Sequence, residues 1–500
     1  MSISTDASTP PDISLKPRNR WLALAVIAVS QLLIVLDATI VNIALPTAQT
    51  ALDISDANRQ WMITAYTLAF GGLLLLGGRI ADFTGRKRAF IIGLLGFAVA
   101  SGLGGLATNA ETLFAARALQ GAFGALMAPA ALSLLTVTFT EPKERARAFG
   151  VYGAIAGGGG AVGLLLGGVL TEYASWRWTL LVSAPIAIAA ALAAVRFVGE
   201  SRAEGNTRYD LPGAFTSTVG LVALVYGFTK ASDDGWSSPV TIAWLIAAVL
   251  LLVSFVVIEL RSKHPLLPMR VLLDRNRGGA FLASLLIGAG LFGMFLFLTF
   301  YMQLTLGYSA LMSGVAFLPF TFGIIAGAGV SAQLQTRLGP RVLMFGGLVL
   351  GAVGLAMLTR IGVDTGFWSH VFPAELVLSL GLGITFGPMS NTALYGVADH
   401  DAGVASALIN TTQQIGGSLG TALLNTIFTS AVAAYIVDHR AEVTNPDQLP
   451  ALQAMATVHS YTVAFWVSAG LIALAAVIAV VLVRADRDEV AANPGVPAAV

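Results

Sequence analysis

The sequence predicts an all-α polytopic membrane protein of fourteen spans, arranged as two six-helix bundles with two further helices between them. Three observations predict it. Hydrophobic side chains make up 56% of the 500 residues and charged ones only 11%, whereas a soluble domain carries about 25% charged residues. The apolar residues fall into runs long enough to cross a bilayer, which takes about 20 residues each. The basic residues concentrate in alternate connections between those runs, as membrane topology requires.

The runs are 22–46, 61–78, 90–108, 112–138, 148–170, 177–198, 212–230, 240–259, 279–302, 311–333, 342–361, 369–396, 402–436 and 461–483. The run 402–436 is long enough to start and end outside the lipid. The polar stretch 1–20 reads as a short tail; the apolar run behind it is too long for a signal peptide. With the N-terminus placed inside, the outer connections hold only Arg59, Arg177, Lys230, Arg360 and Arg440, and Arg117 falls within a span. Every other base among the 28 is then inside, which fixes the orientation and an even span number. The expected organisation is a tail (1–20), a first bundle (21–200), a linker with spans 7 and 8 (201–278), a second bundle (279–484) and a tail (485–500). An internal echo supports duplication. GRIADFTGRKR (78–88) follows span 2 and AQLQTRLGPR (332–341) follows span 10; Gly85 aligns with Gly339, and Thr336 stands where Asp82 does.

Composition also excludes functions. Without cysteine there is no disulfide, thiol catalysis or cysteine metal site. The net charge of +1 gives no affinity for nucleic acid. There is no Gly-x-x-x-x-Gly-Lys-Ser/Thr phosphate loop for ATP hydrolysis. His264, His370, His400, His439 and His459 form no metal-spaced pair, and no soluble stretch is long enough for a catalytic domain. Neither an enzyme nor a cofactor is expected.

Several polar residues lie where lipid disfavours them. Asp37 sits in LLIVLDATIVNIALP (32–46). A charged Asp at a helix centre costs about 2.5–3.5 kcal/mol, and such acids face the bundle interior or a water cavity. There it can take up a proton on one side and release it on the other; a structural hydrogen bond is the plain alternative. Thr39 and Asn42 suit that packing role. In ARALQGAFGA (116–125), Arg117, Gln120, Gly121 and Gly124 share one helix face. A guanidinium cannot be neutralised, so Arg117 needs an acid, and Asp37 is the intramembrane candidate. Asp82 opens the loop DFTGRKR, where Gly85 supplies a turn. Asp82 can cap a helix, and Arg86 and Lys87 can meet helix C-termini or acids of the other bundle; ordinary topology explains part of this loop. Span 5, GVYGAIAGGGGAVGLLLGGVL (150–170), carries glycines that let helix backbones touch. Span 13 presents a stripe of Asn410, Gln413, Gln414, Gly417, Gly420 and Thr421, amides that glue helices or bind substrate. Glu375, near the outer end of span 12, is a substrate or second proton site, or else lies exposed at the interface.

Together these motifs resemble the fourteen-helix drug:proton antiporters of the major facilitator superfamily. The resemblance rests on LDATIVNIALP (36–46), GRIADFTGRKR (78–88), RALQGAFGA (117–125), SWRW (175–178), DLPGA (210–214), YMQLTLGYSALMSG (301–314) and AGVASALINTTQQIGGSLG (402–420). It implies a two-bundle alternating-access fold with a central cavity lined by spans 1, 4, 9 and 12. It implies proton coupling at Asp37 and Arg117, and gating at Asp82, Gly85, Arg86 and Lys87. The family's span-5 motif is matched by Gly150, Gly159, Gly163, Gly167 and Gly168, but Leu164 replaces its proline, so the usual kink is not expected. Many relatives carry an acid in span 13 and this chain has none, which favours a monovalent or neutral substrate.

The resulting expectation is a monomeric exporter of amphipathic small molecules in the cytoplasmic membrane, with both termini inside and protons flowing inward. Gln120, Phe292, Phe295, Tyr301, Gln303, Glu375, Asn391, Asn410 and Gln413 are the substrate-binding candidates. A proton symporter or facilitator for a nutrient is the alternative, and a non-transporting receptor a more distant one.

Overall fold

A computed structural model describes residues 17–202, 210–262, 265–397, 402–442 and 445–484. Residues 1–16 and 485–500, and with them Lys16 and Arg487, lie outside the described residues, as do Arg208, Lys263, His264 and His400, while residues 17–20 of the expected tail are already helical. The described residues form helices and no strand. Fourteen are long and apolar enough to cross a membrane: α1 (Arg20–Ala51), α2 (Trp61–Thr84), α3 (Arg86–Gly105), α4 (Ala110–Thr138), α5 (Lys143–Tyr173), α6 (Trp178–Phe197), α7 (Leu211–Asp234), α8 (Pro239–Arg261), α9 (Arg275–Thr305), α10 (Ala310–Gln335), α11 (Arg337–Leu358), α12 (Phe367–Leu394), α13 (Val404–Glu442) and α14 (Pro446–Leu482). Each coincides with an apolar run in the sequence. The even number returns the chain to the side on which it starts, here the termini side.

Two sets of helices share few partners. In the first, α2 and α3 pack on α4, α1 packs on α5, and α6 packs on α1 and α3. In the second, α9 packs on α13 and α14, α10 and α11 pack on α12, and α14 closes against α11 and α13. The sets meet along α2 with α13 and α5 with α10, while α7 lies against both α2 and α13. α8 packs mainly on α7 and is the least buried of the fourteen, so most of its apolar surface is left for lipid.

Among the described residues, several hydrogen bonds join the halves toward the side opposite the termini. Thr67, in the second turn of α2, meets Ser418 of α13 at 2.5 Å. Farther along, Gln303 donates to the Ile43 carbonyl at 2.9 Å and the Leu311 amide to Glu172 at 2.9 Å. Asn425 donates to the carbonyls of Asp56 (2.8 Å) and Ala57 (3.4 Å). The chain makes this possible at YMQLTLGYSALMSG. The last turn of α9, Tyr301–Thr305, widens to a π-helix, which re-aims side chains. Gly307 then takes a φ of 69° and Ser309 caps the next helix by accepting from the Met312 amide. Gln303 thereby turns toward α1.

The repeat seen in the sequence has a counterpart in the backbone. Gly85, between α2 and α3, has a φ of 115°, and Gly339, at a break in the first turn of α11, a φ of 71°. Both occupy the left-handed region that a side chain disfavours, at equivalent turns on the termini side.

Candidate functional site

α1 and α4 bring Asp37 and Arg117 together inside the first bundle. The Arg117 Nη1 donates to Asp37 Oδ2 at 2.6 Å. Gln120, one turn further along α4, donates to Asp37 Oδ1 at 3.0 Å and accepts from Arg117 Nη1 at 3.0 Å. Its amide also donates to Ser101 on α3 at 2.8 Å. The Arg117 Nε donates to the Met62 carbonyl at 3.0 Å, and the guanidinium lies 4.5 Å from the Tyr66 ring centre. Asp37 and Gln120 are fully buried and Arg117 is 2% exposed. Desolvation of this kind opposes both charges and is offset only when the remaining lone pairs and protons find partners. Four hydrogen bonds to the pair and an aromatic face supply that compensation here.

The site exists because α4 can approach α2. A Cβ on Gly121 would collide with the Tyr66 carbonyl, so the stripe Arg117–Gln120–Gly121–Gly124 lets α4 lie against α2 while presenting its polar pair to α1. A cavity of about 10 Å³ adjoins the guanidinium, lined by Val41, Leu45, Met62, Leu113, Trp176 and Thr179 among others. That is room for about one water molecule. All the named partners of Asp37 and Arg117 belong to the first bundle. The pair is therefore enclosed by α1–α4, not displayed on the face between the bundles.

The other candidates fall into three groups. At the α2–α3 turn, Arg86 pairs with Asp82 at 2.9 Å, Lys87 Nζ donates to the Val195 carbonyl at 2.8 Å in the last turn of α6, and the Arg86 amide donates to Ser201. The basic pair thus meets a helix C-terminus and its own loop. The cap is not Asp82: Glu200 accepts from the Lys87 amide at 3.0 Å at the start of α3. Along α5, Gly159, Gly163 and Gly167 face Val35, Thr39 and Ile40 of α1, and Gly168 faces Leu311 of α10. Gly150 differs, because a methyl there would meet open space. α5 runs without a break past Leu164. Thr39 also donates to the Val35 carbonyl, and Asn42 to that of Ala38, so both serve α1 itself.

The substrate candidates scatter. Gln120 is taken up by the ion pair. Phe292 packs on Gly417, and Phe295 sits 5.2 Å and 5.1 Å from the rings of Phe317 and Phe320 on α10. Tyr301 is buried, its hydroxyl bonded at Thr365 and the Gly362 carbonyl. Gln303 joins the bundles. Asn391 and Gln413 are half-buried and Asn410 is exposed. Glu375 is wholly buried with neither carboxylate oxygen hydrogen-bonded, so the exposed-interface alternative is overturned.

A further residue escaped sequence reasoning. Arg59, counted only as an outer base, is 2% exposed and reaches into the second bundle. Its Nε donates to Asn425 Oδ1 at 3.1 Å, and its guanidinium lies 4.3 Å from the Phe300 ring centre and 4.7 Å from that of Phe428. Burial pushes its pKa below the ordinary arginine value. The signal available was its place in a connection on the side where bases are scarce.

A fourteen-span, two-bundle chain with a buried acid–base pair in its first bundle defines a multi-pass membrane transporter, and residues 27–421 match the model of the Major Facilitator Superfamily. The chain belongs to that superfamily and stands with its drug-efflux members. It is 50% identical to the puromycin resistance protein pur8 of Streptomyces alboniger over 97% of each chain. It is 39% identical to the cephamycin export protein CmcT of Amycolatopsis lactamdurans, over 83% of this chain and 87% of that one. The fold is also that of a bacterial homologue of the human lysosomal transporter Spinster. Their TM-score is 0.64 at 17% identity, over 94% of this chain and 98% of that one.

Proposed function

We propose that this protein exports amphipathic small molecules, antibiotics among them, across the cytoplasmic membrane by alternating access driven by inward proton flow. The observation that carries the reading is the enclosed Asp37–Arg117–Gln120 cluster, an ionisable acid kept from water whose arginine partner borders a cavity of about one water. Intramembrane acids of this kind mark proton relays. Asp37 accepts the proton, and Arg117 is released from its partner when it does. The α2–α3 turn, with Asp82, Gly85, Arg86 and Lys87, gates the termini side, which is cytoplasmic. The rigid bodies are residues 21–200 and 279–484, with 201–278 between them, and the protein works as a monomer. A proton crossing 100 mV releases about 2.3 kcal/mol, enough for a concentration ratio of about fiftyfold at 1.4 kcal/mol per decade.

The relatives' names supply the first compound to try. Vesicles holding the purified protein, given an imposed pH gradient, accumulate puromycin on the acidic side, and the accumulation collapses with a protonophore. Puromycin movement that ignores the gradient selects the facilitator reading, which draws on the unbroken α5 at Leu164.

A further inference from the structure

We propose that the ring of Phe297, Phe300, Phe428, Tyr461 and Asn425 is a binding site for an organic monocation, filled by Arg59 while this end of the protein is shut. The proposal rests on the reading of the molecule as an alternating-access transporter. Arg59 comes from the α1–α2 connection of the first bundle. Every residue of the ring belongs to the second: Phe297 and Phe300 on α9, Asn425 and Phe428 on α13, Tyr461 on α14.

The ring is built for a positive charge. Phe300, Phe428 and Phe297 present their rings to the guanidinium at 4.3, 4.7 and 5.9 Å, and an aromatic face attracts a cation within about 6 Å of its centre. The rings brace one another: Phe297 and Phe428 stack at 5.3 Å, and Phe428 and Tyr461 at 5.1 Å. Asn425 donates to the Asp56 and Ala57 carbonyls and accepts from Arg59, all three in the α1–α2 connection of the first bundle. Asp56 contributes only a 3.4 Å contact from an exposed side chain. The fit is incomplete in an instructive way. Arg59 Nη2 and the Tyr461 hydroxyl are buried without hydrogen-bond partners, so the ring offers a polar atom that the guanidinium does not use.

Separation of the bundles at this end withdraws Arg59 with its own bundle, leaves the aromatic rings braced on one another and frees the Asn425 amide for a ligand. An aromatic or alkyl ammonium can then take its place. Occupancy by the monocation excludes the return of Arg59 and holds this end open; reclosure by Arg59 expels it. A molecule without charge gains only apolar contact from the ring and none of its attraction for a cation.

The chain has no cysteine, so spin labels can be placed on Ser55→Cys and Ala434→Cys, one on each bundle and both exposed. Distances are read in detergent with no gradient, so the result does not depend on proton coupling. Tetraphenylphosphonium is expected to lengthen the distance in the otherwise unaltered protein, and triphenylphosphine oxide to leave it unchanged. Arg59→Ala is expected to lengthen it without ligand and to bind tetraphenylphosphonium about tenfold more tightly, if the open state is initially about a tenth of the population. Adding Phe300→Leu or Phe428→Leu reverses that gain. The same distance with and without tetraphenylphosphonium, or equal affinity with and without the ring substitutions, overturns the proposal. The first of these comparisons needs no ring or Arg59 variant to fold.

Discussion

Replacing Asp37 by Asn separates the fold from the coupling. The substitution keeps the shape and one acceptor oxygen but removes the charge that faces Arg117 Nη1 at 2.6 Å. The guanidinium keeps the Met62 carbonyl, the Gln120 oxygen and the Tyr66 face. Breaking a buried pair by removing one partner costs about 3–5 kcal/mol. The retained contacts put this variant at the lower end, about 3 kcal/mol. A protein with about 5–15 kcal/mol of stability survives that loss, so the variant folds with a lowered melting temperature. In vesicles it is expected to exchange substrate across the membrane at zero gradient and to accumulate none when a pH gradient is imposed. Asp37→Leu/Arg117→Met should recover stability, since replacing both members with apolar groups is about neutral, and should still fail to accumulate substrate. Uphill accumulation at the unaltered ratio by folded Asp37→Asn protein refutes the reasoning.

Other outcomes follow from the same geometry. Gly121→Leu drives a side chain into the Tyr66 carbonyl and should abolish the monodisperse peak in size exclusion, while Gly150→Ala, which faces open space, leaves it unchanged. Glu375→Leu removes two buried oxygens that have no partner and should raise thermal stability by about 1–3 kcal/mol; a fall would show that Glu375 has a partner in the membrane. Gly85→Ala forces a methyl onto a φ of 115° and toward the Glu200 carboxylate, and should slow substrate exchange several-fold with little change in membrane insertion. Gln303→Ala deletes a bond between the bundles and should increase labelling of an introduced cysteine at Ile43 by an impermeant thiol reagent.

The spans were legible because lipid imposes a simple rule, an apolar run of fixed length, and the sequence states it fourteen times. Asp37 and Arg117 were legible for the related reason that charge in such a run demands a partner. Gln120 was harder. Its place on the Arg117 face marked it as polar and inward, but only the fold shows that it bridges Asp37 and Ser101. Arg59 was illegible because its partners are Asn425 and Phe428, more than 360 residues away in the chain, and nothing local to RQW announces them. Glu200 as the cap of α3 was hidden likewise, since the nearer Asp82 offered the same chemistry. Periodicity reads a helix against its solvent; it does not read which distant helix arrives.

The most direct test is proton release on binding substrate. Purified protein in weakly buffered detergent solution, near neutral pH, is mixed with puromycin while a pH dye is followed. Binding should expel a proton into solution, in a burst that scales with protein concentration and vanishes in Asp37→Asn. A burst of the same size from the Asp37→Asn protein, or binding of puromycin with no proton released from the unaltered protein, would contradict the account.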